Sequence, residues 1–260
     1  MDRDQLFYRY AHETRQRKEV PMHTHTNGQL NYVKSGAVRL LTPDSAWVVP
    51  QQRVIWIPPR QPHSVECRSI AGGWKIMVPP SYGTSLPKTV AVLQSSKLLV
   101  AALESIPGES GSIAPAKLKL LQHLIELELG EARSEALGVT LPQSSRLRKL
   151  TDILLDHPDD PRDIDAWANE VGMSRSTFTR KFAAETGSSF GEWKKAVMLG
   201  RALDLLNEGL SVSDISSRLG YSGPSAFVAA FRRRFGAPPG HFQQQQARAA
   251  PKLRPHNDSS

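Results

Sequence analysis

The last third of the chain states one pattern twice. Asp165-Ala166-Trp167-Ala168-Asn169-Glu170-Val171-Gly172-Met173-Ser174 leads into a segment carrying Phe178 and Phe182. Asp214-Ile215-Ser216-Ser217-Arg218-Leu219-Gly220-Tyr221-Ser222 leads into one carrying Phe227 and Phe231. The offset is 48 from Gly172 to Gly220 and 49 from Phe178 to Phe227, so the second copy has one extra turn residue. Each copy reads as a short helix, a tight turn at Gly, an N-capping Ser and a second helix, the layout of a helix-turn-helix. Two such units in tandem predict a protein that inserts two helices into DNA.

Within the first unit, Ile164, Trp167, Ala168 and Val171 form the apolar face of the supporting helix. Gly172 permits a left-handed backbone at its end, and Ser174 is placed to accept from an early N–H of the next helix. Phe178 and Phe182, four apart, point inward. Arg175, Ser176, Thr179 and Arg180 are then outward, where polar side chains reach base edges and phosphates. Arg180 is the best candidate for a guanine contact. The second unit exposes Pro224, Ser225, Ala226, Val228 and Ala229, which offer a hydroxyl and apolar contacts but no bidentate pair. Arg232, Arg233 and Arg234 follow and suit phosphates. Specificity is therefore expected to lean on the first unit. Between the units, 190–207 reads as one long helix with Trp193, Val197, Leu199, Leu203 and Leu206 at apolar positions. A rigid connector fixes the spacing of two recognition helices, and successive major-groove entries on one DNA face lie about 34 Å apart.

The net charge of +8 favours polyanions. It does not single out one end, since residues 1–144 (16 Lys/Arg, 12 Asp/Glu) and 145–260 (17 and 13) each carry +4. Local clusters do: Arg175/Arg180/Lys181, Lys194/Lys195 and Arg232-Arg233-Arg234. No apolar stretch approaches the roughly 18 residues that span a membrane, and the N-terminus lacks a basic region followed by an apolar core. Cys67 is the only cysteine and has no internal partner, which fits a reducing cytoplasm.

The first 80 residues read as β-structure. Short apolar or alternating runs at 30–34, 37–41, 46–49, 54–57, 64–67 and 74–78 are separated by turn signals such as Ser35-Gly36, Pro58-Pro59 and Gly72-Gly73. Strands at this spacing predict a small barrel or sandwich. From 95 to 132 the period becomes helical. Leu118, Leu121, Ile125 and Leu129 mark one stripe, and Leu120, Leu124 and Leu127 a second on the same helix. Either both stripes are core or one is a dimer seam. The expected organisation is therefore α+β and multidomain: 1–135 a β-barrel sensor and dimerisation domain with helices, 136–145 a polar linker, 146–242 an all-α domain with two helix-turn-helix units, and 243–260 a disordered tail.

His23-Thr24-His25, Gln29 and His63 form a second constellation. His23 and His25 alternate along an extended segment and share a face, and His63 opens a strand after a Pro-rich turn. Three converging imidazoles are candidate ligands for a divalent metal, or they line an organic-ligand pocket. With Tyr32, Trp47, Trp56 and Trp74 nearby, the expected effector pocket comprises His23, His25, Gln29, Tyr32, Trp56 and His63.

Residues 146–242 resemble the DNA-binding domain of the AraC/XylS family of transcriptional regulators. The second unit carries its pattern: Ile215, Leu219-Gly220-Tyr221-Ser222, Phe227 and Phe231, Phe235-Gly236, Pro238-Pro239 and Phe242. The resemblance implies sequence-specific double-stranded DNA binding and activation or repression by positioning RNA polymerase. It places Ser176, Thr179 and Arg180, then Ser225, Ala226 and Ala229, at base-facing positions, with Arg175, Ser222, Arg232 and Arg233 beside them. The sensing half resembles a cupin, with Gln29 where that fold has Glu. The expected function is a cytoplasmic, homodimeric regulator, not an enzyme, controlled by a small-molecule effector. The alternatives are a cupin-type metal-dependent enzyme and a constitutive DNA-binding protein.

Overall fold

Alternating side chains over most of the first 95 residues give strands, and 3.6-residue periodicity in most of the rest gives helices. The computed structural model describes residues 9–14, 18–67, 71–80, 82, 86–108 and 111–249. Its strands are β1 (Arg9–Thr14), β2 (Lys18–His23), β3 (Gly28–Ser35), β4 (Ala37–Leu41), β5 (Ser45–Pro50), β6 (Arg53–Ile57), β7 (His63–Cys67), β8 (Ala71–Val78), β9 (Ala91–Gln94) and β10 (Gly138–Thr140). Its helices are α1 (Lys97–Ser105), α2 (Pro115–Glu131), α3 (Ser145–Asp156), α4 (Ile164–Glu170), α5 (Arg175–Thr186), α6 (Phe190–Asn207), α7 (Val212–Arg218), α8 (Pro224–Phe235) and α9 (Pro239–Ala249). No helix among the described residues is long and apolar enough to cross a membrane.

The strands form two five-stranded antiparallel sheets, ordered β1-β8-β3-β6-β9 and β10-β5-β4-β7-β2. No ladder joins them among the described residues, so the expected barrel is a two-sheet sandwich. Gly36, at φ +75°, turns the chain from β3 in one sheet to β4 in the other, and each sheet keeps its own edges. The sheet containing β3 is covered on both faces. Leu30, Tyr32, Trp56, Trp74 and Ile76 pack outward against Leu99 and Leu103 of α1 and Ile125 and Leu129 of α2. Gln29, Asn31 and Val33 face inward, toward the second sheet.

The expected linker is not free chain. Within it Gly138–Thr140 is β10, paired antiparallel with β5 from Gly138 opposite Trp47 to Thr140 opposite Ser45. Its polar neighbours masked the apolar Leu137 and Leu141, which are buried. The first part of the expected disordered tail, 243–249, is helical. Helix α9 runs to Ala249 and is anchored by buried Phe242, because glutamine is a good helix former. Residues 250–260 lie outside the described residues.

The helical half packs directly on the sandwich. Leu199, Leu203 and Leu206 of α6 share a continuous core with Val38, Leu40 and Val49 of the second sheet. Gly200 is the point of closest approach, since a Cβ there would lie 2.7 Å from a Val48 methyl. Polar bonds cross the same boundary: Arg39 Nη1 donates to Leu155 O (2.7 Å), Gln51 Nε2 to Phe242 O (2.9 Å) and Trp193 Nε1 to Thr140 O (2.8 Å).

Candidate DNA interface and ligand cavity

The two helix-turn-helix units match bond for bond. Asp163 caps α4 by accepting from Ala166 N, and Ser211 caps α7 by accepting from Asp214 N. In the first turn Val171 N donates to Trp167 O, Gly172 N to Asn169 O and Met173 N to Ala168 O. In the second, Leu219 N donates to Ile215 O, Gly220 N to Ser217 O and Tyr221 N to Ser216 O. Gly172 and Gly220 sit at φ +67° and +70°, the left-handed region that favours glycine. Phe178, Phe182, Phe227 and Phe231 are all fully buried.

The frames diverge at the extra residue. Ser174 caps α5, its hydroxyl accepting from Thr177 N at 3.3 Å. The residue at the equivalent place before α8 is Gly223, with no side-chain cap and Pro224 opening the helix. Ser222, expected to cap, stands one residue too early. Proline suits the first helical position because its missing N–H has no partner there in any case.

On α5, Arg175, Ser176, Thr179 and Arg180 are all exposed. Arg175 pairs with Asp165 at 2.7 Å, and Thr179 donates its hydroxyl to Arg175 O, leaving its oxygen able to accept. On α8, Ser225, Ala226, Ala229, Arg232 and Arg233 are exposed, as is Ser222 before it. Three expected members are corrected. Val228 is half-buried against the core. Arg234 turns away and donates to Leu137 O (2.7 Å), burial lowering its pKa. Lys194 donates to Asp160 O and Arg162 O, again with its pKa lowered by desolvation. These cations hold the fold together instead of facing outward.

Between the two sheets lies a cavity of about 260 Å³. Its apolar wall includes Val20, Val33, Val38, Val65 and Cys67, and its polar groups include Lys18, His23, Gln29, Asn31 and Lys75. Of the expected pocket residues, His23 and Gln29 line it, with His25 and His63 alongside His23 at ring-centroid distances of 5.8 and 4.3 Å. Tyr32 and Trp56 do not. Strand alternation puts them on the opposite face, where Tyr32 stacks on Trp74 (5.0 Å) and Trp56 Nε1 donates to Pro87 O. Trp47 lies against β10. Lys75 and Asn31 were missed in the sequence. The period-2 pattern from Gln29 gives Asn31, and Lys75 is its cross-strand partner, but only the pairing reveals that. A larger space of about 680 Å³ is a groove between β10, α6 and α8, lined by Lys195, Arg233 and Arg234 among others. The inter-sheet cavity, walled by valines with a few convergent polar groups, has the make-up of a small-molecule site.

Two recognition helices on one helical connector, fused to a sandwich with an internal cavity, define a DNA-binding transcriptional regulator with a ligand-binding domain. A helix-turn-helix domain model matches residues 167–245, and an AraC-like ligand binding domain model matches residues 6–78. The chain belongs to the AraC family of transcriptional regulators. It is 26% identical over 234 residues to the HTH-type transcriptional regulator NimR of Escherichia coli, covering 89% of this chain and 85% of that one. It is 33% identical over 158 residues to the E. coli transcriptional activator RhaS, covering 59% of this chain and 55% of RhaS. Among solved structures, ToxT of Vibrio cholerae aligns with 92% of this chain and 98% of its own, at 12% identity and a TM-score of 0.38.

Proposed function

We propose that the first unit reads bases through Arg180, Ser176 and Thr179, with Arg175 released from Asp165 on contact. The second unit holds phosphates through Arg232 and Arg233, with Ser222, Ser225, Ala226 and Ala229 against the groove. The observation that carries this reading is the bond-for-bond repeat, because it gives both helices the same exposed face while only one bears polar reading groups. A small molecule in the inter-sheet cavity controls the DNA-binding half. Its fit is an apolar body with an anionic or hydrogen-bonding end, opposite Lys18 and Lys75. The cavity's second-sheet wall is shared with α6, so an effector that shifts β4 shifts the connector between the recognition helices. That is a coupling free energy between two sites.

The protein works in the cytoplasm as a homodimer that positions RNA polymerase, without a catalytic role. The dimer seam is built on Leu120 and Leu127 of the second stripe of α2, whose third member, Leu124, is half-buried against the core. Ile125 and Leu129 are buried, whereas Leu120 and Leu127 are 72% and 55% exposed. The test is DNA binding by the full chain over a range of salt. Binding falls steeply with salt, and Arg180→Ala weakens binding to the preferred site more than to random DNA. Binding indifferent to both salt and Arg180→Ala would refute the assignment. Turnover of a small substrate would favour the enzyme reading.

A further inference from the structure

The effector cavity and the reading faces leave the larger groove unused. It holds about 680 Å³ and runs between β10, α6 and the ends of α5 and α8. The base-facing positions proposed above stop at Arg180 on α5 and Ala229 on α8. The groove instead takes Thr186 from the end of α5, and Arg233, Arg234 and Gly236 from the end of α8. Val139, Ala196, Leu199 and Ala230 give it an apolar wall.

Three cations reach this space, and none has a carboxylate partner among the described residues. Arg234 Nη2 donates to Leu137 O (2.7 Å) and Gly138 O (3.3 Å). Carbonyls orient a guanidinium without cancelling its charge, and Arg234 Nε and Nη1 have no acceptor among the described residues. Desolvation is the one cause that shifts its pKa, so no nearby carboxylate offsets the burial. Lys195 is half-buried on α6, Arg233 is exposed on α8, and neither makes an ion pair among the described residues. Two acids border the groove. Glu135 is already held by Arg53 (2.5 Å) and by Gln94 Nε2 (2.7 Å). Glu192 is exposed and unpaired among the described residues. Three cations therefore face one uncommitted carboxylate, and part of that positive charge sits where water screens it poorly.

We propose that this groove binds a small organic anion, a carboxylate or phosphate carried on an apolar body. Arg234, Lys195 and Arg233 would hold the head, and Val139, Leu199 and Ala230 would pack on the body. A planar guanidinium fork matches carboxylate and phosphate alike, and the volume lies in the range of small-molecule sites. The anion would join a strand of the sandwich, the connector and the second recognition helix. On the reading that Arg233 holds DNA phosphate, anion and DNA compete for that side chain, and each lowers the other's affinity by the same factor.

The test titrates the full chain with bis-anilinonaphthalene disulfonate. This dianionic dye has twin aromatic bodies, brightens in apolar surroundings and is too bulky for the inter-sheet cavity of about 260 Å³. The expected result is one saturable site per chain. Lys195→Glu and Arg234→Met should each weaken it by at least about tenfold, the loss of one charge-assisted contact. Lys195→Glu changes a partly exposed residue and should melt like the wild type, so it stands even if Arg234→Met loosens β10. Lys149→Glu makes the same charge change at an exposed position on α3 and should leave dye binding unchanged. No saturable site, or equal losses in Lys149→Glu and Lys195→Glu, overturns the site. If Lys195→Glu weakened DNA binding and left dye binding intact, the groove would belong to the DNA backbone, which also overturns it. Saturating dye should weaken DNA binding, and unchanged DNA affinity overturns the competition. Dye uptake is measured without DNA, so its failure is distinct from failure of the base-reading assignment.

Discussion

The two helix-turn-helix units share a frame and differ in what they show and what they touch. The first, built around Phe178 and Phe182, packs against α3 and presents Arg175, Ser176, Thr179 and Arg180. The second, built around Phe227 and Phe231, is continuous with the core of the sandwich and presents serine, alanine and two arginines. Buried phenylalanines and the left-handed turn glycines set each frame, and both copies keep them. Exposed positions bear no packing and were free to diverge.

The largest expected effect tests the shared frame. Phe182→Ala and Phe231→Ala each remove a fully buried ring and should each cost about 3–5 kcal/mol, read from denaturant melts. A variant that cost under about 1 kcal/mol would show that its unit is not built like the other.

Next comes the division of labour. Arg180→Ala should cost about 1–3 kcal/mol at the preferred site and relax specificity at one base pair. Arg233→Ala should weaken binding to all sequences alike and reduce the salt slope by about one. If the two behaved the same way, the proposed asymmetry would be lost.

Gly200→Ala probes the second unit's tie to the sensor. The new methyl meets Val48, and the misfit should cost about 1–3 kcal/mol. It should also uncouple effector from DNA affinity while leaving isolated effector binding intact. Unchanged coupling would mean that the signal bypasses α6.

The smallest effect separates the caps. Ser174→Ala should cost about 1 kcal/mol, whereas Ser222→Ala, one residue before the N-cap position Gly223, should stay within about 0.5 kcal/mol. Equal losses would place a cap at Ser222.

Much of this was legible in the chain. The repeat, the connector at 190–207 and six strand cores follow from local pattern, because turn glycines, buried phenylalanines and alternation act over a few residues. What failed was non-local. Strand β10 looks like a linker until β5 is beside it. Arg234 and Lys194 look like DNA-facing cations until β10 and Asp160 supply carbonyls. Tyr32 and Trp56 could be assigned to a face only once Gln29 was known to point between the sheets. Lys75 entered the cavity through a cross-strand pairing that no window along the sequence contains.

The central claim, one reading unit and one holding unit, is tested most directly by selecting bound sites from a pool of random duplex DNA with the full chain. The account predicts one strongly constrained half-site and a second, weakly constrained one about one helical turn away, with Arg180→Ala erasing the constraint in the first. Two half-sites of equal constraint would contradict it.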